Sequence, residues 1–202
     1  MPRVVDHDQR RRELALAACD VIARAGLEGA TLRDVARQAG CTTGRVSHYF
    51  ADKQQLLLAA LETATQAVED RILHRALADP GDLRGILTES LPLDEPRRIE
   101  WRIWIAFWGA AIGDPDLHRE HRGRYDTWRD ALVTVLAQTP VPVAARADTA
   151  ETLMIAVDGI GVHATFDVAH WPPHRQLAHL DQALATALAT ARAAAPDQGV
   201  LG

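Results

Sequence analysis

Apolar residues recur at three- and four-residue spacing along almost the whole chain and nowhere alternate with polar ones over the length of a strand. A 3.6-residue period without a two-residue period restricts the chain to packed helices. Leu14, Ala18, Val21, Ile22 and Ala25 make the first stripe, over 9–25, and Gly26 follows where a helix-ending residue belongs. Thr31, with Asp34 three residues later, caps a short helix to Gln38. Thr42 caps a second to about Phe50, and Asp52, with Gln55 in capping-box order, opens a long one over 53–77. Asp79-Pro80-Gly81-Asp82 and Leu91-Pro92-Leu93-Asp94 are breaks, with a short helix between them over 82–90. Helices are predicted over 95–112, 116–137 and 144–169, and a last one opens at Trp171-Pro172-Pro173. The expected fold is all-α, with about nine helices.

Composition narrows the class. Of 202 residues, 48% are hydrophobic and 24% charged, enough apolar material for a packed core. The longest apolar run, Ile103 to Ile112, is too short to span a bilayer, and the first residues lack the apolar stretch of a secretory signal. Two cysteines, Cys19 and Cys41, supply neither a disulfide framework nor a four-cysteine zinc site. The expected compartment is therefore the reducing cytoplasm, with no membrane partner. The net charge of -5 excludes a protein that is basic throughout. The charge is uneven, however: residues 1–55 carry nine Arg and Lys against seven Asp and Glu, whereas 56–202 carry thirteen against twenty. Only the first quarter is suited to face phosphate.

That quarter holds the most specific pattern. The segment 31–50 reads as two short helices joined by a three-residue turn, a helix-turn-helix. Ala36 is small where the helices touch, Gly40 permits a positive φ in the turn, and Val46 fills the gap between them. A purely structural helical hairpin would share this spacing. The second helix adds polar residues in the positions that meet base edges in a major groove: Thr42, Thr43, Arg45, Ser47 and His48. Arg45 suits bidentate contact with guanine and Thr43 suits a thymine methyl. Tyr49, Lys53 and the helix-opening Thr31 suit phosphate contacts, which fix register. Arg10, Arg11 and Arg12 form a basic run nearby.

These residues resemble a known family. The order Thr31-Leu-Arg-Asp-Val-Ala, Ala39-Gly40, Gly44, then His48-Tyr-Phe, Lys53 and Leu56-Leu57 is similar to the tetracycline-repressor (TetR) family of bacterial transcription regulators, over about residues 9–60. Ser47 stands where many members carry an aromatic residue, and the Ser-His-Tyr-Phe reading resembles the choline-responsive repressor (BetI-type) branch. Trp101, Trp104, Phe107 and Trp108 with Asp114-Pro115, and later Asp158-Gly159, extend that resemblance loosely to residue 170. It implies a repressor that binds double-stranded DNA at an inverted-repeat operator and is released by a small-molecule effector. It implies a DNA-binding domain over 1–52, a helical effector-binding and dimerisation domain over 53–195, and a homodimer through helices 8 and 9. Residues 196–202 read as a flexible tail.

Effector candidates cluster on the aromatic helix. Trp101, Trp104 and Trp108 share a face, Phe107 lies beside them, and Trp128 falls on the next helix. Core packing accounts for any one aromatic; together they fit the wall of a cavity for a largely apolar molecule. Beside an acidic neighbour such as Glu100 or Asp158 they also fit an organic cation. Met154, His163 and Phe166 are further candidates. His118 with His121, and His170, His174 and His179, lack the company of a metal site, so no metal or cofactor is expected. No Gly-x-Ser-x-Gly, phosphate loop, His-Glu-x-x-His or dinucleotide fingerprint occurs, so an enzyme is not expected. Two alternatives stay open: a ligand or metal sensor acting through a protein partner, and an all-α enzyme using the aromatic cavity.

Overall fold

Capping and glycine chemistry place the first three helices. The computed structural model describes residues 7–193, so the expected tail over 196–202 lies outside the described residues. Helix α1 (His7–Gly29) is two helical segments meeting at Gly26, whose φ of 68° and ψ of 173° stop the first where the sequence predicts. Helix α2 (Leu32–Gln38) starts at Thr31, which accepts from the Asp34 N–H. Helix α3 (Thr43–Tyr49) starts at Thr42, which accepts from the Arg45 N–H. The turn between them carries Gly40 at φ 61°.

Helix α4 (Lys53–Ala78) begins at Asp52, which accepts from the Gln55 N–H, while the Gln55 side chain accepts from the Ala51 N–H. Then come α5 (Leu83–Glu89), α6 (Glu95–Gly113), α7 (Pro115–Leu136), α8 (Arg146–Phe166) and α9 (Pro173–Ala193). A short 3-10 turn, Val143–Ala145, leads into α8. Among the described residues there is no strand. Most boundaries fall within two residues of the prediction, and the end of α8 differs most. Helix α8 stops at Phe166 rather than 169, because Asp167 leaves helical geometry and its carboxylate accepts from the His170 N–H. The short polar side chain offers the backbone a turn in place of another helical bond.

The described chain forms two compact units. The first comprises the chain to Asp70 and Asp94–His118. In it α1 packs on α2 and α6, and α2 on α3, around Leu14, Ala18, Ile22, Val35, Val46, Phe50, Leu56, Leu57, Leu61, Ile103 and Phe107. These units cut the chain differently from the 1–52 and 53–195 division, because α6 and the first part of α4 pack with the N-terminal helices.

The second unit comprises 71–93 and the chain from Arg119. There α9 packs on α8 and on α5. Leu180 and Leu184 are buried in that packing, so the leucine stripe of α9 is largely used within the chain. Arg75 donates to Glu89 at 2.9 and 3.1 Å and to Asp82 at 3.1 Å, tying α4 to α5, and Arg84 holds Asp181 of α9 through two bonds. Gly85 makes room for this network: a Cβ there would meet the Asp82 carboxylate and lie 2.5 Å from Arg75 Cδ. Gly85→Ala is expected to lower stability by about 1–3 kcal/mol, the range for overpacking. A thermal melt matching the parent's would contradict it.

Candidate nucleic-acid interface

The helix-turn-helix is assembled by the packing its sequence calls for. Val46 and Val35 are fully buried and Ala36 nearly so, while the Cys41 N–H donates to the Ala36 carbonyl across the turn at 2.9 Å. Burying Val46 turns the opposite side of α3 outward: Thr42, Thr43, Gly44, Arg45, Ser47 and His48 are all exposed. This polar face has no apolar neighbour to cover, and its cation, Arg45, makes no ion pair among the described residues.

The candidate contacts are not equally free. Thr42 spends one acceptor lone pair on its own helix, and Ser47 donates to the Thr43 carbonyl at 3.1 Å. Thr31 caps α2 and donates to Asp34 at 2.5 Å, which holds that carboxyl below the usual carboxylate range. The Lys53 ammonium donates to the Glu28 carbonyl at 2.8 Å, so it pins the end of α1. Tyr49 is half-buried. Thr43, Arg45 and His48 remain as side chains with their polar atoms open to a ligand. In the basic run, Arg10 pairs with Glu13, and Arg11 pairs with Glu62 while lying over the Phe50 ring. Cys19 is buried against the Ala60 carbonyl, and burial pushes its thiol up to about 12, so it stays protonated.

The effector candidates divide between the two units. In the first, Trp101 is buried and contacts Trp104 and Trp108 edge-on at 5.3 and 5.9 Å. Phe107 is buried in the core around α1, and Trp104 and Trp108 pack against the same cluster. In the second, Met154 is buried and Trp128 half-buried. His163 stacks on Trp171 at 5.5 Å, and Phe166 is 76% exposed. Asp158 accepts a 2.5 Å bond from the Tyr125 hydroxyl and has no cationic partner among the described residues. Sequence reasoning missed Tyr125, because nothing in the spacing links positions 33 apart on α7 and α8.

Burial pushes the Asp158 carboxyl up to about 6, against a smaller lowering by the Tyr125 bond. A carboxyl raised in the folded state opposes folding once ionised. Its cost appears as pH rises from the unfolded value through about 6, and is full above that. Asp158→Asn is expected to raise Tm at pH 7.5 and to leave it nearly unchanged at pH 4, an effect of about 2 kcal/mol. A melt shift equal at both pH values would contradict this. No group of three or more His, Cys, Asp or Glu side chains placed to hold a metal occurs among the described residues, and no helix there is long and apolar enough to cross a membrane.

Comparisons with known proteins agree with the geometry. Residues 15–60 match the model for bacterial regulatory proteins of the tetR family, and 81–189 match the model for the C-terminal region of BetI-type transcriptional repressors. The chain is 33% identical over 172 residues to the HTH-type transcriptional regulator PksA of Bacillus subtilis, spanning 83% of this chain and 84% of that one. It is 34% identical over 124 residues to the regulator BetI of Klebsiella pneumoniae, spanning 59% and 64%. A transcriptional regulator from Rhodococcus sp. Rha1 superimposes with a TM-score of 0.81 at 33% identity, over 90% of this chain and 97% of that one. A transcriptional regulator from Saccharomonospora viridis, solved in complex with choline, shares the fold at a TM-score of 0.72 and 23% identity, over 87% and 95%. The names these relatives carry are those of regulators, not of enzymes. The chain is a member of the TetR family of DNA-binding transcriptional regulators, with a BetI-type C-terminal region.

Proposed function

We propose that the chain is a homodimeric repressor that inserts α3 of each subunit into the major groove of one half of an inverted-repeat operator and releases it when a small molecule binds the helical region. The observation that carries this reading is the outward polar face of α3, held rigidly by buried Val46 and the turn at Gly40. Thr43 and Arg45 read bases, with Thr42, Ser47 and His48 beside them on the same face; Thr31, Tyr49 and Lys53 meet phosphates. The functional division then falls near residue 52. The protein acts in the cytoplasm, where its DNA lies.

Dimerisation uses the uncovered side of α8 and α9. Ile155 and Phe166 are 72% and 76% exposed and share a face with Gly159, which a Cβ would leave uncrowded. On α9, Ala178, Ala185 and Ala189 are exposed along one side and allow close approach. Gly161 is buried within the chain and supports the α8 packing instead.

The effector meets Asp158 in the second unit. A mostly buried carboxylate with one hydroxyl partner and no cation paired to it among the described residues favours a ligand that brings positive charge or a hydrogen-bond donor. The choline bound by the Saccharomonospora viridis regulator is a molecule of that class. The ligand shifts the DNA-binding equilibrium only by its differential affinity for the two states.

Selection of duplexes from a random-sequence pool by the full chain tests the proposal. Enrichment of an inverted repeat with half-sites about one helical turn or somewhat more apart is expected. A pool without enrichment, or an enriched single site with no repeat, would contradict it.

A further inference from the structure

His7 opens α1, and its ring lies 5.4 Å from the Tyr49 ring and 5.8 Å from the His48 ring of α3. His48 and Tyr49 meet edge-on at 5.3 Å. Both imidazoles are exposed, while the phenol is half-buried. Two helices distant in sequence thus bring three rings together at the C-terminal end of the helix that faces DNA. Exposed imidazoles gain little from ring packing alone, since most of their surface stays in water. What they offer is N–H donors, and a charge that changes between about pH 5 and 8.

The surroundings favour an anion. On α1 the charged neighbours are Asp8, Arg10, Arg11, Arg12 and Glu13; Arg10 is paired with Glu13, and Arg12 is exposed and makes no ion pair among the described residues. On α3 they are Arg45, exposed and unpaired among the described residues, with His48 and Tyr49 themselves. At the start of α4, Asp52 caps Gln55 and Lys53 reaches the Glu28 carbonyl. Further along α4, Glu62 is paired with Arg11.

We propose that His7 is a DNA contact: with His48 it forms a two-imidazole site for one backbone phosphate, filled most tightly when the rings are protonated. The inference rests on α3 being the DNA-facing helix. A phosphate oxygen accepts a charge-assisted bond from each ring, and its charge relieves the repulsion between two imidazolium groups. The charge-assisted bonds need charged rings, so the gain in affinity fades as the pH rises through the range in which imidazoles lose their charge. Sequence patterning did not single out His7, because residue 7 and residue 48 meet only once α1 has packed against the helix-turn-helix.

The test uses the full chain and the duplex it enriches from a random pool, titrated by fluorescence anisotropy at pH 5.8 and 8.0 at equal ionic strength. The parent is expected to bind about tenfold tighter at pH 5.8, the order expected of one added charge-assisted hydrogen bond. His7→Ala loses most of that gain and binds like the parent at pH 8.0. His7→Lys, a permanent cation, keeps most of the tight binding at pH 8.0. A purely structural role for His7 would weaken binding equally at both pH values without rescue by lysine, and that result overturns the proposal. So does a His7→Ala variant that follows the parent at both. If no duplex is enriched, the DNA-facing reading of α3 fails first, and this proposal falls with it.

Discussion

Arg45→Ala is expected to weaken binding to the preferred duplex by about 10²–10⁴-fold and to flatten base preference at one position in each half-site. One bidentate arginine–guanine contact is worth about 1–3 kcal/mol of discrimination, and a two-fold dimer makes the contact twice. Arg45 is fitted for this role because its guanidinium is exposed on the first turns of α3 and is not held by an ion pair among the described residues. The measurement is anisotropy against a set of duplexes substituted one base pair at a time. If the variant binds more weakly but keeps every base preference, Arg45 contacts phosphate and another side chain does the reading. Lys53→Ala gives the contrast. It should weaken all duplexes alike and reduce the salt dependence. It should also loosen the end of α1, since the ammonium already donates to Glu28.

The second large effect is expected at the uncovered face of α8. If the proposed dimer forms through this face, Ile155→Glu should leave the protein monomeric at micromolar concentration. Burying an isoleucine is worth about 1.5–3 kcal/mol, and a two-fold interface loses that amount twice. The introduced carboxylates add a desolvation cost. Sedimentation equilibrium reads the mass directly. DNA affinity falls with it, because a monomer holds one half-site with one set of contacts. A variant that stays dimeric would move the interface away from Ile155, Gly159 and Phe166.

What the sequence made legible was local. Caps at Thr31, Thr42 and Asp52 lie where an acceptor side chain precedes an apolar stripe, and each is filled as predicted; Asp94 caps α6 in the same way. Gly26 and Gly40 take positive φ because those turns require it. The outward face of α3 followed from one buried residue, Val46, since helical spacing then fixes which neighbours point to water. What stayed hidden depended on packing between distant segments. The end of α8 is a local exception: the Asp167 side chain offers the backbone a turn in place of a further helical bond. No pattern in α9 alone announces that α5 and α8 cover Leu180 and Leu184. Phe107, Trp104 and Trp108 all serve the core around α1, a use that the aromatic pattern of α6 alone does not announce. The Tyr125–Asp158 pair needed two helices to be placed before it existed.

The central claim is that α3 reads DNA sequence. It is tested most directly by titrating the parent protein with the intergenic DNA upstream of its own gene and with a scrambled duplex of equal length, across a salt series. The account predicts saturable binding at least about 10³-fold tighter to the upstream DNA, with affinity to both falling as salt rises. Equal, weak binding to the upstream DNA, the scrambled DNA and the duplexes taken through random-pool selection would contradict it.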